Sequence, residues 1–413
     1  MSMLFMKKGF KKILTALALV GPGLFLIGYN IGPGSVTTMA KTGAEHGMGL
    51  FWVLALSCVF TYILMVAYGK FTLVTGRTAL YNIKTCFRYG WIPALYIIIA
   101  LITGELLAII GVMGIVADML QEGIRMSSGS SIHPFRIILA VATAMYLLIW
   151  FGKYSIFEKV LIFFVILLGL SFLVVFVLVK PDFVALGKGL IPGIPAHNPG
   201  LIAAIAGTTC SAAVFIVRST VVAEKGWTIK DLKTEKKDSF VSAATMLFLS
   251  TVIMAVSAGT LHVMGLKLDK TVEMIALFEP IGGKIAAYII ILGITGAGLS
   301  TIFPIALIAP WLIADFTGKP RNLKSTQSRI LVFTALLISF GSVFLEQRPP
   351  ALMVFSQAFQ ACILPAVAIP VLILLNRKEL MGRYVATTKD NVCIWAVIAF
   401  SLFTTYYAIY ELF

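Results

Sequence analysis

The residues whose types and spacing can do chemistry are few, and they interrupt otherwise apolar runs. The segment Gly28-Tyr29-Asn30-Ile31-Gly32-Pro33-Gly34-Ser35 breaks an apolar stretch from about Ile13 to Ala40. Pro33 lacks an N–H and disfavours helix at Gly32, Gly34 is conformationally permissive, and backbone groups freed by such a break cannot stay unpaired in hydrocarbon. A span broken at mid-depth is therefore a place where carbonyls, N–H groups and small hydroxyls face a bound ion or solute. Gly32, Gly34 and Ser35 are the binding candidates at this break. A second interruption, Ala206-Gly207-Thr208-Thr209-Cys210-Ser211-Ala212-Ala213, lies in another apolar run and offers Thr208 and Ser211, with close helix packing by small residues as the alternative reading. Glu105 stands at the centre of Ile98 to Val116, where an ionisable group is costly and by default functional. It can take up a proton or a sodium ion, pair with Arg218, or be a protonated group that only fixes packing. Arg218 has the alternative of snorkelling toward the nearer interface.

The elements that must position these residues are membrane helices. The composition, 59% hydrophobic and 12% charged, excludes a soluble globule, whose apolar and charged shares run near one half and one quarter. Apolar windows of about 20 residues are centred near residues 26, 60, 105, 144, 168, 212, 250, 299, 336, 363 and 401, eleven spans in all. Lys7, Lys8, Lys11 and Lys12 ahead of the first window imitate a signal peptide, but the apolar stretch runs too long and lacks a clear cleavage site, so it reads as a retained span. Most of the 33 Lys and Arg fall in alternate connecting segments, among them the lysine-rich loop from Lys225 to Lys237. The positive-inside rule then places the N-terminus in the cytoplasm and the C-terminus outside. The net charge of +15 reflects membrane orientation and contact with anionic lipid, not nucleic acid. The five cysteines show neither CxxC spacing nor a disulfide framework. His262 lies near a span end and is expected to face the interface.

Spans one to five and six to ten compare as two halves, each opening with an interrupted helix. Five being odd, the halves have opposite orientation, the pattern of an inverted repeat. The expected fold is an all-α integral membrane protein with a LeuT-like 5+5 inverted repeat, broken helices 1 and 6, and an eleventh helix appended. The expected divisions are residues 1–180, 181–376 and 377–413.

Several segments resemble the Nramp metal-ion transporters: Gly21-Pro22-Gly23 through Gly43-Ala44-Glu45-His46-Gly47 with Leu50-Phe51-Trp52, Thr75-Gly76-Arg77, Gly104-Glu105, Gly207-Thr208, Ser356-Gln357 with Leu364-Pro365, and Asn376 through Gly382. The resemblance spans almost the whole chain and implies a secondary transporter working by alternating access, with a divalent metal cation as cargo, no covalent chemistry, no enzyme activity and no cofactor. It also implies an ion contact at Gln357 in the tenth helix; an amide there also serves helix association. Gly293, Gly296, Gly298, Ser300 and Thr301 in the eighth span read as helix packing or as a sodium-type site.

This chain departs from the family pattern at the chemistry. Asp-Pro-Gly-Asn of the family's first helix is Gly32-Pro33-Gly34-Ser35 here, and the sixth-helix Met-Pro-His is Ser211-Ala212-Ala213. Acids that serve the family's proton pathway on the third helix are Val112 and Ile115, and a later sixth-helix histidine is Arg218. Glu105 reads as the one acid, among 18, left deep in a span. Loss of a carboxylate, an amide and a thioether together points away from transition metals. Two arrangements keep an ion as cargo. Ser35, Thr208, Thr209, Ser211, Gln357 and carbonyls of Asn30, Ile31 and Ala206 can hold a hydrated ion such as Mg²⁺. Alternatively Cys210, one residue from the family's methionine, turns its sulfur inward, against the ordinary reading of inert packing. A different cargo class is also open: without the aspartate, the half-helix N-terminus favours an anion, so an amino or carboxylic acid suits the break. H⁺ or Na⁺ is the expected coupling ion through Glu105 and Arg218, and a helical-bundle membrane, the inner cell membrane, the expected location.

Overall fold

The computed structural model describes residues 32–151, 154–278, 282–319, 321–344 and 349–410. The upstream half of the predicted first span, the Gly28-to-Ile31 part of its break with the Asn30 and Ile31 carbonyls, and Gly21-Pro22-Gly23 lie outside the described residues. Among the described residues every regular element is helical, and nine helices are long and apolar enough to cross a membrane.

The first span continues as α1 (Pro33–His46), and the second is α2 (Phe51–Thr75). After short α3 (Ala79–Cys86) come α4 (Trp91–Ser128), α5 (Pro134–Phe151) and α6 (Tyr154–Val179), the third to fifth spans. Short α7 (Phe183–Lys188) precedes the sixth span, which is split into α8 (Gly200–Thr209) and α9 (Ala212–Glu224). The seventh to tenth spans are α10 (Leu232–Gly259), α11 (Gly283–Thr317), α12 (Thr326–Ile338) and α13 (Pro349–Leu375). Short α14 (Lys378–Met381) leads to α15 (Thr388–Tyr410), the eleventh.

Lipid solvent explains which faces are polar. Apolar side chains such as Ile92, Tyr96 and Ile99 on α4 or Trp395, Leu402 and Tyr406 on α15 are exposed, while Thr37, Thr38, Ser57 and Thr61 are buried. Between helices there is no hydrophobic drive when lipid tails are equally apolar, so small and hydroxyl residues line the contacts. The hydroxyls of Thr42, Thr61 and Thr72 bond the carbonyl four residues back in their own helices at 2.7–2.9 Å. The 38 residues of α4 give a length of roughly 57 Å at 1.5 Å per residue, well beyond a hydrocarbon core of about 30 Å. Its polar end, where Arg125 pairs with Glu122 at 2.8 Å, extends past the apolar zone.

α10 packs along both α1 and α2, α4 lies against α11 and α13, and α13 in turn packs on α8 and α15. The start of α1 and the α8–α9 junction are thus enclosed by α4, α11 and α13. One close approach fixes this arrangement: a Cβ on Gly207 of α8 would fall within bonding distance of the Gln357 carbonyl oxygen of α13. His262, just after α10, is exposed and donates from Nδ1 to the Ala44 carbonyl at 2.8 Å, near the end of α1.

Candidate functional site: a polar cavity at two helix ends

α1 starts at Pro33, with Gly32 as its cap in extended conformation (φ −104°, ψ −173°). Proline suits a first helical position because its missing N–H is one that would have no intrahelical partner. The second interruption is tighter than the sequence reading. α8 remains helical to Thr209, Cys210 turns (φ −107°, ψ 50°), Ser211 is extended (φ −66°, ψ 128°), and α9 begins at Ala212. The Ala206 carbonyl, expected to be available to an ion, instead accepts the Cys210 N–H at 2.7 Å. The Thr209 carbonyl lies 2.9 Å from the Thr61 hydroxyl and shares its one proton with the Ser57 carbonyl, so α2 satisfies part of the backbone that the junction frees.

These ends meet at a cavity of about 40 Å³, whose wall includes Gly32, Gly34, Ser35, Glu105, Thr208, Ser211 and Gln357. Seven of the nine residues singled out from sequence therefore share one wall. Glu105, 2% exposed, is the single charged group in that wall. Gln360 of α13 donates from Nε2 to Glu105 Oε1 at 2.9 Å, and its Oε1 accepts the Ser211 hydroxyl at 2.6 Å. This chain of bonds runs from the α8–α9 junction to α4. Its first link leaves the Ser211 oxygen lone pairs toward the cavity, because the hydroxyl proton is committed to Gln360.

The sequence reading overlooked Gln360 and Met353. A signal was present: Met353, Gln357 and Gln360 recur at helical spacing on one face of an apolar span, where two amides three residues apart are costly without a polar surface to face. Thr301, read as packing or sodium-site material, also lines the cavity and bonds the Ala297 carbonyl at 2.9 Å. A Cβ on Gly32 would collide with its hydroxyl. Thr301 thus fills the space into which any side chain at position 32 would project, the position where the resemblance implies an aspartate.

Cys210 and Arg218 lie elsewhere. Cys210 is fully buried and turned toward Cys58 and Thr61 of α2, away from the cavity wall. This corrects the inward-sulfur arrangement; the extended φ/ψ of Ser211 presents Ser211, not its neighbour, to the cavity. Cys210→Ala should leave affinity for a ligand of the cavity within about twofold, less than 0.5 kcal/mol, while Ser211→Ala weakens it; parallel titrations of the two variants check this.

Arg218 neither pairs with Glu105 nor snorkels. It is 0% exposed, with Nη2 at 3.0 Å from Glu235 Oε1 and Nη1 at 2.5 Å from Asp238 Oδ2 on α10, and it donates to Ser239 Oγ at 3.1 Å. Gly69 of α2 makes room for Glu235, whose carboxylate a Cβ there would strike. Glu105 is not the one buried acid: Glu235 and Asp238, in the first two turns of α10, and Asp315, in the last turn of α11, are 0%, 4% and 7% exposed. Asp315 of α11 accepts the Thr220 hydroxyl of α9, a second tie across the same end of the bundle.

The start of α1 and the break between α8 and α9, meeting at a polar cavity inside a bundle of membrane helices, define a membrane protein of the LeuT-like class. Solved structures agree in fold: a manganese transporter of Eremococcus coleocola in complex with an aromatic bis-isothiourea compound (TM-score 0.69, 16% identity, covering 96% of this chain and 86% of that one), and MhsT in complex with L-phenylalanine (TM-score 0.57, 13% identity, 95% and 98%). Residues 23–411 match the family model for natural resistance-associated macrophage protein-like proteins, and the chain belongs to this Nramp family. A curated relative, the divalent metal cation transporter MntH of Yersinia pestis (strain Pestoides F), is 24% identical over 396 residues, 91% of this chain and 90% of its own length.

Proposed function

We propose that this chain is a secondary transporter carrying a small inorganic cation, a divalent one that keeps part of its hydration shell such as Mg²⁺, by alternating access around the central cavity. The observation that carries the reading is the cavity itself. At about 40 Å³ it has room for roughly three waters, at 10–15 Å³ of such volume per water, and not for an amino or carboxylic acid. Its lining supplies one carboxylate, from Glu105, with hydroxyl and amide oxygens from Ser35, Thr208, Ser211, Thr301, Gln357 and Gln360. Hard oxygen ligands with few charges suit a cation that retains waters; thiolate or thioether coordination is what favours softer metals. The relatives named as divalent metal cation transporters support the cargo class. Carriage of an organic acid at the first break is the reading that the cavity's size weighs against. In the proposed organisation the halves are residues 1–180 and 181–376, with 377–413 appended, in the inner cell membrane with the N-terminus cytoplasmic and the C-terminus outside.

Ligand binding to the native state raises its apparent stability, so thermal unfolding of the purified chain against Mg²⁺, Mn²⁺, Na⁺ and a panel of amino and carboxylic acids tests the reading. Stabilisation by Mg²⁺ with none by the organic acids is the expected pattern. Stabilisation by an organic acid alone would replace the cargo class.

Coupling is assigned to Glu105, with H⁺ or Na⁺ as partner ion. Glu105→Gln keeps an acceptor for the Gln360 amide and should alter stability by only about 1 kcal/mol, while transport into proteoliposomes loses its dependence on pH or sodium. Persistence of that dependence in the variant would reassign coupling.

A further inference from the structure

Met353 of α13 is 1% exposed and lines the cavity. It is threaded between two helices at the two points where each presents bare backbone. A Cβ built on Gly34, at the start of α1, would stand 2.6 Å from Met353 Cε and 2.7 Å from Gln357 Nε2. A Cβ built on Gly111 of α4 would stand 2.6 Å from Met353 Sδ. Both distances are far inside the contact separation of about 3.5–4.0 Å, so both glycines are needed to seat this one side chain. Gly34 borders the cavity and Gly111 does not. The methyl end of Met353 is therefore the part beside the cavity, and the sulfur is held against α4.

We propose that Met353 is the size-determining residue of the central site: its methyl, wedged between α1 and α4, holds the cavity to the dimensions of a small, partly hydrated cation and shuts out larger cations and organic solutes. This rests on the cation-transport reading above and adds the element that sets its selectivity. Met353 and Gln357, one helical turn apart on α13, close together over Gly34, one by volume and the other by its amide. An unbranched side chain suits the narrow slot between two glycines, where a β-branched one would strike the helix walls.

The test is titration of the purified full-length chain with Mg²⁺, Ca²⁺, glycine and alanine, comparing wild type, Met353→Leu and Met353→Ala. Removal of a few carbons from a specificity pocket alters discrimination by about 10–200-fold. Met353→Ala should therefore narrow the preference for Mg²⁺ over Ca²⁺ by about tenfold or more, while Met353→Leu, which keeps the bulk and lacks the sulfur, stays near wild type. An unchanged preference in folded Met353→Ala overturns the proposal, as does Met353→Leu behaving like Met353→Ala, which would make the thioether and not its size the determinant. A wild type that binds neither divalent ion removes the cation reading alone; the wedge then still requires Met353→Ala to admit a ligand that the wild type refuses, and identical ligand panels overturn it. Should Met353→Ala not fold, Gly111→Ala, outside the cavity wall, supplies the same test in reverse: its Cβ would meet Met353 Sδ and Cγ, so it should displace the side chain and abolish binding, and Gly111→Ala/Met353→Ala should restore it. Failure of that restoration overturns the wedge.

Discussion

Arg218→Met should be among the most destabilising single substitutions in the chain, at a cost of about 3–5 kcal/mol, the range for removing one partner of a buried ion pair. The methionine keeps most of the stem's volume and removes the charge that Glu235 and Asp238 share at 3.0 and 2.5 Å. Two carboxylates are then left at 0% and 4% exposure without their common cation. The measurement is thermal unfolding in detergent, followed by size-exclusion profile. The triple variant Arg218→Met/Glu235→Gln/Asp238→Asn should recover most of the loss, because a buried charge left unneutralised, not the absence of the bridge, is what costs. A single variant as stable as wild type would show that the three groups do not form a buried triad.

Gly207→Ala should be nearly as damaging and for a purely steric reason. Its Cβ would fall within bonding distance of the Gln357 carbonyl oxygen and 3.0 Å from the Ala361 N. The obstacle is backbone in a packed helix, so no rotamer change relieves it and α8 must move off α13. Overpacking costs about 1–3 kcal/mol and occasionally more. Here the displacement also carries Thr208 and Ser211 away from Gln357 and Gln360, so loss of cation binding should exceed what the fall in stability alone predicts. Binding titration at a temperature where the variant is still folded separates the two effects. Normal affinity in a folded Gly207→Ala would show that α8 and α13 are not in register contact at this point.

The break between α8 and α9 was legible because a run of small and hydroxyl residues does not favour an uninterrupted span, and Pro33 marked the start of α1 in the same way; both are properties of local sequence. Which side chain faces inward at the second break was not, since it turns on two dihedral pairs at Cys210 and Ser211. The fit of Thr301 against Gly32 and of Met353 between Gly34 and Gly111 joins residues hundreds of positions apart and has no local trace. The partners of Arg218 are a different case. Glu235 was hidden inside, and Asp238 directly after, a segment read as a lysine-rich loop, yet Glu235, Asp238, Ser239, Ser242, Ala243 and Met246 are all buried. Their spacing of three and four is the stripe of an amphipathic helix. Reading Lys233, Lys236 and Lys237 as its solvated face, and the two acids as its inner one, would have found the pair for Arg218.

On the proposed cation-carrier reading, the single carboxylate in the cavity wall also has a consequence for how the carrier answers to voltage. If Glu105 is ionised and the coupling ion has left, the empty site carries one negative charge, and a bound divalent ion turns it to one positive. An inside-negative membrane then pulls the loaded form inward and pushes the empty form back, each by about 2.3 kcal/mol per elementary charge per 100 mV for a full crossing of the field. A monovalent ion would leave the loaded form neutral, so that the field drives the return stroke alone. The count of acids around one small cavity thus decides whether one half of the cycle, or both, runs on membrane potential.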